Sequence, residues 1–146
     1  MKIITIIIFV LNLLISTPFD GMTLITSMGG GQNNDGNQSR QSMLIDNNEN
    51  IINIWNHDTG PASIAYLMPD SILYVPCKVS AGGGQGGGPN GGRFKKMDWF
   101  GNIIWDYYLP EDICEPHHDI EILPNGNILA ICSETKTLND AINAGI

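Results

Sequence analysis

The chain has 146 residues, enough for one ordinary domain, and 42% of them are hydrophobic while only 15% are charged. Its 17 glycines and many asparagines favour short strands joined by turns over long helices. The net charge of −8 at pH 7 excludes the basic surface that nucleic-acid binding requires, so we expect no nucleic-acid partner.

Residues 1–21 have the pattern of an export signal. Lys2 gives a positive start, and an apolar run follows from Ile3 to Ile15, interrupted by Thr5 and Asn12. This run is shorter than the roughly 20 apolar residues that a membrane-spanning helix needs. We therefore predict a signal peptide and an exported protein, periplasmic or secreted. An uncleaved N-terminal anchor and a buried core strand are the alternatives.

Residues 22–42 are predicted to form a flexible, low-complexity linker. From Ser27 to Ser42 the sequence is almost devoid of apolar side chains, so burial cannot compensate for the entropy lost on ordering. The folded domain is accordingly predicted to occupy residues 43–146.

Two hairpin patterns alternate through this domain. The first has an aspartate, a short turn and Asn-Ile-Ile, with its asparagines at Asn50 and Asn102, 52 positions apart. The second has Leu-Pro or Met-Pro, a turn and Ile-Leu, with its prolines at Pro69 and Pro124, 55 positions apart. A unit of about 50 residues with two hairpins has the size of one propeller blade.

The sequence therefore predicts an all-β fold, a partial β-propeller of about two blades of four-stranded antiparallel sheet. A β-sandwich could use the same hairpins but would not require the same turns in alternate order. Since a propeller closes with roughly four to eight blades, we expect the chain to be the N-terminal portion of a longer protein or a truncated product.

The repeat provides a comparison for the histidine pair that begins the last hairpin. When Pro69 is aligned with Pro124, Ala62 lies opposite His117 and Ser63 lies opposite His118. Because the fold accepts alanine and serine in one copy, it does not require histidine at these positions, which favours a functional role for at least one imidazole. A surface or packed structural pair is the alternative.

Strand geometry refines this hypothesis. Successive strand residues point to opposite faces, so His117 and His118 are expected to have different roles, and Asp119 could orient one imidazole. In a propeller the first strand of each blade lines the central channel, where ligands bind. We predict no metal site, because adjacent strand residues diverge. His57 lies in a turn and is interpreted as structural or solvated.

The three cysteines, Cys77, Cys114 and Cys132, form no CxxC pair that would indicate a zinc site. In an exported protein one disulfide with one cysteine left over is compatible with this number, and the sequence does not select the pair. Three small buried hydrophobic residues are the alternative.

The segment from His117 to Ile131, His-His-Asp-Ile-Glu-Ile-Leu-Pro-Asn-Gly-Asn-Ile-Leu-Ala-Ile, resembles the arylsulfate sulfotransferases, the bacterial-type arylsulfotransferase (ASST) family. The preceding hairpin from Asp98 to Tyr107 fits the same pattern, and the resemblance covers about residues 43–145. It implies a six-bladed propeller, exported from the cytoplasm. Such a protein transfers a sulfuryl group from a phenolic sulfate ester to another phenol, without a nucleotide sulfate donor or other cofactor, through a sulfated histidine.

By the same resemblance, His118 matches the channel histidine that binds the sulfuryl oxygens or assists proton transfer, with His117 as its neighbour and Asp119 as a substrate-binding residue. The family's sulfated histidine and its arginine partner lie in later blades. After His118 this chain has no histidine and no arginine. We therefore expect the nucleophile to be absent from it. A non-catalytic propeller-type binding protein is the alternative function.

Overall fold

The computed structural model describes residues 19–27, 40–79, 91–109, 115–133 and 136–145, without the side chains of Glu115, His117 and His118. The apolar run of the predicted signal peptide, the middle of the predicted linker and Cys114 lie outside the described residues. The division into signal peptide, linker and domain therefore stays largely a prediction.

The described residues form an antiparallel β structure with a single short helix. The strands are β1 (Met22–Thr26), β2 (Gln41–Asp46), β3 (Ile51–Asn56), β4 (Tyr66–Leu67), β5 (Leu73–Lys78), β6 (Gly92–Met97), β7 (Ile103–Tyr108), β8 (Glu115–Ile122) and β9 (Ile128–Ser133), and the helix is α1 (Leu138–Asn143). No helix in this part of the chain is long and apolar enough to cross a membrane.

The strands form three sheets, with the orders β1-β2-β3, β4-β5-β6-β7 and β8-β9. The middle sheet is a complete four-stranded blade, and its neighbours repeat parts of it. β1, β5 and β9 occupy equivalent positions, as do the hairpins β2–β3 and β6–β7. The predicted all-β, partial β-propeller fold is confirmed.

The turns of the β2–β3 and β6–β7 hairpins use the same chemistry. One carboxylate oxygen of Asp46 accepts the backbone N–H groups of Asn48 and Asn50, at 2.8 and 2.9 Å. Asp98 repeats this pattern in the second hairpin. The side-chain amides of Asn50 and Asn102 donate to the second carboxylate oxygens and contribute most to the lowered pKa of both aspartates, and the backbone donors act in the same direction.

Two non-glycine residues occupy turn positions where the other copy has glycine. Glu49 has a φ of 64°, and its counterpart Gly101 has a φ of 86°. Ser71 likewise has a φ of 64°, against 82° for Gly126. A side chain in this left-handed region costs about 1–2 kcal/mol. Glu49 and Ser71 nevertheless keep the turn geometry that glycine has in the other copy.

Two apolar cores lie between the sheets. The first joins the β1–β3 sheet to the middle sheet, and its fully buried members include Trp55, Leu73, Val75 and Cys77. The second joins the middle sheet to β8–β9 and contains buried Tyr74, Phe94 and Ile120, surrounded by partly exposed residues. The first core is therefore closed, whereas the second is open on one side.

The linker prediction is wrong at both of its ends. β1 lies inside the predicted linker and pairs along its whole length with β2, whose first two residues were also assigned to the linker. Leu24 packs against the first core, and Ser42 is completely buried. A strand of five residues next to a long apolar run gives too little alternation to be recognised from the sequence.

Candidate functional site

The predicted site residues lie in an irregular part of β8. Pro116 pairs with Cys132 of β9, and the next regular pair is Ile120 with Ala130. Residues 117–119 therefore oppose a single residue of β9. Such bulges change the direction of side chains and are frequent next to active sites. The backbone places His117, His118 and Asp119 in this bulge, although the two histidine side chains are outside the described part.

The same irregularity occurs one repeat earlier. Pro61 forms an isolated bridge with Cys77, and regular pairing resumes only at Tyr66. Between them, Ala62 is fully buried and donates its N–H to the carbonyl of Pro76 at 2.8 Å. The bridge and the Pro116–Cys132 pair are 55 positions apart in both strands, which supports the alignment used to compare the histidines with Ala62 and Ser63.

The carboxylate of Asp119 is held by neutral donors from two repeats. Its Oδ1 atom accepts the hydroxyl of Tyr66 at 2.8 Å and the hydroxyl of Ser63 at 3.4 Å. It also accepts the backbone N–H of Ile120 at 2.9 Å. Ser63 is the counterpart of His118, so the bulges of neighbouring repeats lie close together.

Tyr66 is a positioned donor. Its burial raises the pKa of the phenol to about 12, and the hydrogen bond to Asp119 and the charges of Asp119 and Glu121 act in the same direction. Tyr66 therefore stays protonated at physiological pH. The described hydrogen bonds to Asp119 all involve Oδ1, which leaves Oδ2 to accept from an imidazole N–H or a ligand.

The sequence alone identified Asp119 but not the two hydroxyls that hold it. The sequence presents Ser63 only as the counterpart of His118, and it indicates no role for Tyr66 beyond the hairpin repeat. The contact joins residues more than 50 positions apart, and it requires the relative placement of two blades. The one available signal was that both residues, like Asp119, lie at or near the start of a repeated strand.

Residues 19–145 match the sequence model of the arylsulfotransferase (ASST) family. The chain belongs to this family. The match begins before β1, so it covers the strand that the sequence interpretation assigned to a linker. No curated protein and no solved structure matches the chain. Membership in an arylsulfotransferase family implies phenols and aryl sulfate esters as the general class of substrates.

The chain contains a second polar cluster, around His57. Of the two interpretations of His57, structural or solvated, the structure favours the first: the ring is buried, and its Nε2 atom lies 2.9 Å from the hydroxyl of buried Ser42. Its Nδ1 atom has no hydrogen-bond partner among the described residues. Burial, assisted by the positive charge of Lys95 and opposed by Asp58, lowers the pKa of His57 to about 4.

The stability of the fold is expected to depend on His57 between pH 7 and pH 4. Because its folded pKa of about 4 lies below the ordinary value of 6.5, the neutral ring stabilises the fold above pH 6.5. This contribution, at most about 3 kcal/mol, is lost as the pH falls from 6.5 through 4. Urea unfolding at pH 7.0 and pH 4.5, expressed as the free energy of unfolding, measures it.

His57→Gln is the control for this pH dependence, since glutamine keeps a hydrogen-bonding side chain near Ser42 but does not titrate. The variant should lose less stability than the wild type between the two pH values, whatever its stability at pH 7. Equal losses in both proteins would contradict a buried neutral His57. Because the pKa values of Asp46, Asp58 and Asp98 are lowered, these carboxylates are protonated below the pH range of this measurement.

Lys95 of β6 is buried beside the same cluster. Its ammonium group donates to Oδ1 of Asp58, and the hydroxyl of Thr59 lies 3.4 Å away. Arg93 contributes a second charge, with its Nη1 atom 3.4 Å from Asp58 and its Nε donating to Asp106 at 2.8 Å. Among the described residues, no three His, Cys, Asp or Glu side chains converge as metal ligands.

Proposed function

We propose that this chain forms part of the active site of an aryl sulfate sulfotransferase. The enzyme transfers a sulfuryl group from a phenolic sulfate ester to an acceptor phenol through a sulfo-histidine intermediate. The observation that carries the proposal is the His117-His118-Asp119 sequence in the β8 bulge of a member of the arylsulfotransferase family.

The roles follow from the charge of the transferred group. A sulfuryl group in transit spreads negative charge over its oxygens, much as a phosphoryl group does, and positioned donors stabilise that charge. His118 is proposed to donate to these oxygens or to assist proton transfer. Asp119, fixed by Tyr66 and Ser63, would accept a hydrogen bond from an imidazole or from substrate and so define its orientation. His117 is the neighbouring candidate.

The reaction is written as two displacements at sulfur. An imidazole nitrogen attacks the sulfur of the donor ester, an N–S bond forms, the S–O bond breaks, and the leaving phenolate takes up a proton. The acceptor phenol then loses its proton and attacks sulfur, and the N–S bond breaks to restore the imidazole. We assign the nucleophile to a histidine outside residues 1–146, because His57 is buried against Ser42 and the β8 bulge supplies the oxygen-binding side.

Export from the cytoplasm is part of the same proposal. Its support is the positively charged Lys2 followed by the apolar run to Ile15. An enzyme outside the cytoplasm has no access to a cytoplasmic nucleotide sulfate donor, so direct transfer between phenols is chemically consistent with that location.

The complete protein that carries this chain provides the test, with 4-nitrophenyl sulfate as donor and phenol as acceptor. His118→Ala is expected to lower kcat/KM by about 10²–10³-fold, the usual cost of removing one transition-state donor. Tyr66→Phe, which removes only the hydroxyl that holds Asp119, should give a smaller loss. Phe100→Ala, in the exposed β6–β7 turn, is the control and should keep full activity.

Mass spectrometry of the enzyme, quenched without acid, identifies the histidine that carries the sulfuryl group. The sulfuryl group should be found on a histidine other than His117 or His118, and His118→Ala should slow its formation. Full activity of His118→Ala, or a sulfuryl group on His118 itself, would refute the assigned role. Binding of 4-nitrophenyl sulfate without any turnover would instead support the non-catalytic binding protein.

A further inference from the structure

Two glycines at the entrance to β6 contact the residue that precedes the β8 bulge. Among the glycines that the structure describes, Gly91 and Gly92 are the two at which an added Cβ atom would come closer than 3.4 Å to another residue. At Gly91 this atom would lie 3.2 Å from the carbonyl oxygen of Pro116 and 3.3 Å from the Cβ atom of the same proline. A side chain at Gly91 would therefore displace one of the two segments.

The contact lies at the peptide bond that leads into the histidine pair. The carbonyl oxygen of Pro116 belongs to the amide that joins Pro116 to His117. Pro116 is itself buried, and it pairs with Cys132 of β9. Contacts from both β6 and β9 therefore hold the residue from which the bulge departs.

The backbone of Gly92 is fixed on the β6 side of this contact. Its φ of 122° lies in a region that is readily accessible only to glycine. Its carbonyl accepts the backbone N–H of Leu109 at 2.8 Å, and the residue pairs with Lys78 of β5. An added Cβ atom would lie 2.5 Å from the Cγ2 atom of Val79. The start of β6 is thus held by its neighbours in the sheet and has no room for a side chain at this position.

The preceding repeat begins the equivalent hairpin without glycine. The aspartate turns of the two hairpins align with an offset of 52 positions, which makes Arg40 the counterpart of Gly92. Unlike Gly92, Arg40 does not have a positive φ. The repeat with this arginine has Ala62 and Ser63 in place of the histidines. The hairpin therefore does not require glycine at its start, and the glycines occur together with the histidine pair.

The two ends of the bulge are held by different contacts. Asp119, its last residue, is held by two hydroxyls of the preceding repeat. Pro116, directly before its first residue, is held by β9 and by the glycines. Since the backbone of His117 and His118 spans these two fixed points, a displacement of Pro116 would also displace the histidines.

We propose that Gly91 and Gly92 are positioning residues of the sulfuryl-transfer site. Because they lack side chains, the start of β6 rests directly against Pro116, and this contact fixes the backbone of His117 and His118. The consequence for catalysis rests on the proposed function, whereas the consequence for the bulge does not. A misplacement of 1 Å can cost about 10²-fold in rate, so a shift of a few tenths of an ångström should lower kcat by about tenfold.

Gly91→Ala, in the complete protein that carries this chain, is the principal test. Gly91 lies outside the left-handed region, so alanine adds a methyl group against Pro116 without the backbone strain that it would cause at Gly92. With 4-nitrophenyl sulfate as donor and phenol as acceptor, kcat should fall about tenfold, while KM and the thermal unfolding midpoint stay close to the wild-type values. Hydrogen exchange of the amides of residues 117–120 should become faster, because β6 no longer holds the start of the bulge in place.

Gly60→Ala is the matched control. Gly60 directly precedes Pro61, the counterpart of Pro116 in the preceding repeat. Its φ also lies outside the left-handed region, and an added Cβ atom would meet the Cδ atom of Lys78 at 3.8 Å, an ordinary contact distance. This variant should keep the wild-type kcat, KM and hydrogen exchange.

A double variant with His118→Ala separates positioning from a merely structural role. Because the glycines act through the histidines, Gly91→Ala should lower kcat much less in the His118→Ala background than in the wild type. Equal losses in both backgrounds would overturn the inference, as would an unchanged kcat of Gly91→Ala when His118→Ala is impaired. If His118→Ala is fully active, the proposed function fails, and hydrogen exchange of residues 117–120 in Gly91→Ala still decides whether the glycines position the bulge.

Discussion

Replacing Trp55 with alanine is expected to lower the free energy of unfolding by about 3–5 kcal/mol, the usual cost of deleting a buried aromatic side chain. Trp55 is completely buried at the centre of the closed core. The change also removes the edge-on contact with Trp99 and leaves the carbonyl of Asp98 without its indole donor. Urea unfolding of the 146-residue chain, followed by circular dichroism, measures the loss.

The matched control is Tyr107→Ala, at the equivalent position of the next repeat. Its side chain is 45% exposed and, among the aromatic rings of the described residues, stacks on Trp105 alone, so its removal should cost about 1.5 kcal/mol or less. Trp55→Phe should fall between the two variants, because it keeps an aromatic ring but loses the hydrogen bond. If Trp55→Ala cost no more than Tyr107→Ala, the first core, between the β1–β3 sheet and the middle sheet, would not be closed as the contacts indicate.

The fold could be predicted from sequence because its turns carry their own chemistry. Asp46 and Asp98 hold their turns by hydrogen bonds within five residues, and such local patterns repeat visibly in the chain. The shared tryptophans were less informative. Trp55 and Trp105 both follow the Asn-Ile-Ile of their motif, but strand pairing makes Tyr107, two positions after Trp105, the counterpart of Trp55. Of the two tryptophans, Trp55 is buried and Trp105 is exposed. Register and burial depend on neighbouring sheets, which the motif does not contain.

The candidate site could be predicted only in part for the same reason. His117, His118 and Asp119 stood out because the other repeat has no histidine there. The hydroxyls of Ser63 and Tyr66 could not be assigned to Asp119, since the contact joins separate blades. The sequence left open whether His57 is structural or solvated, because it follows a strand and precedes Asp-Thr-Gly, a pattern typical of exposed turns.

Replacing Asp58 with alanine is expected to cost about 3–5 kcal/mol, because it leaves a buried ammonium group without its carboxylate. Lys95 is only 1% exposed, and its described partners are Asp58 and the hydroxyl of Thr59. Burial tends to raise the pKa of Asp58, but the hydrogen bond and charge of Lys95, with Arg93, outweigh it and lower the pKa. The ionised carboxylate therefore stabilises the fold at neutral pH, and this contribution is lost as the pH falls through the lowered pKa.

The reverse replacement should have a much smaller effect. Lys95→Met removes the buried charge and keeps the apolar stem, while Asp58 is about half exposed and can be hydrated, so the expected cost is about 1 kcal/mol or less. The double variant should be close to Lys95→Met rather than to the sum of the single changes. Lys95→Met alone should also raise the pKa of His57, because the positive charge of Lys95 opposes protonation of that ring. Additive losses would show that Lys95 and Asp58 contribute independently of each other. A larger cost for Lys95→Met than for Asp58→Ala would show that the ammonium group itself stabilises the fold. Either result would contradict a role of Asp58 in compensating for the burial of Lys95.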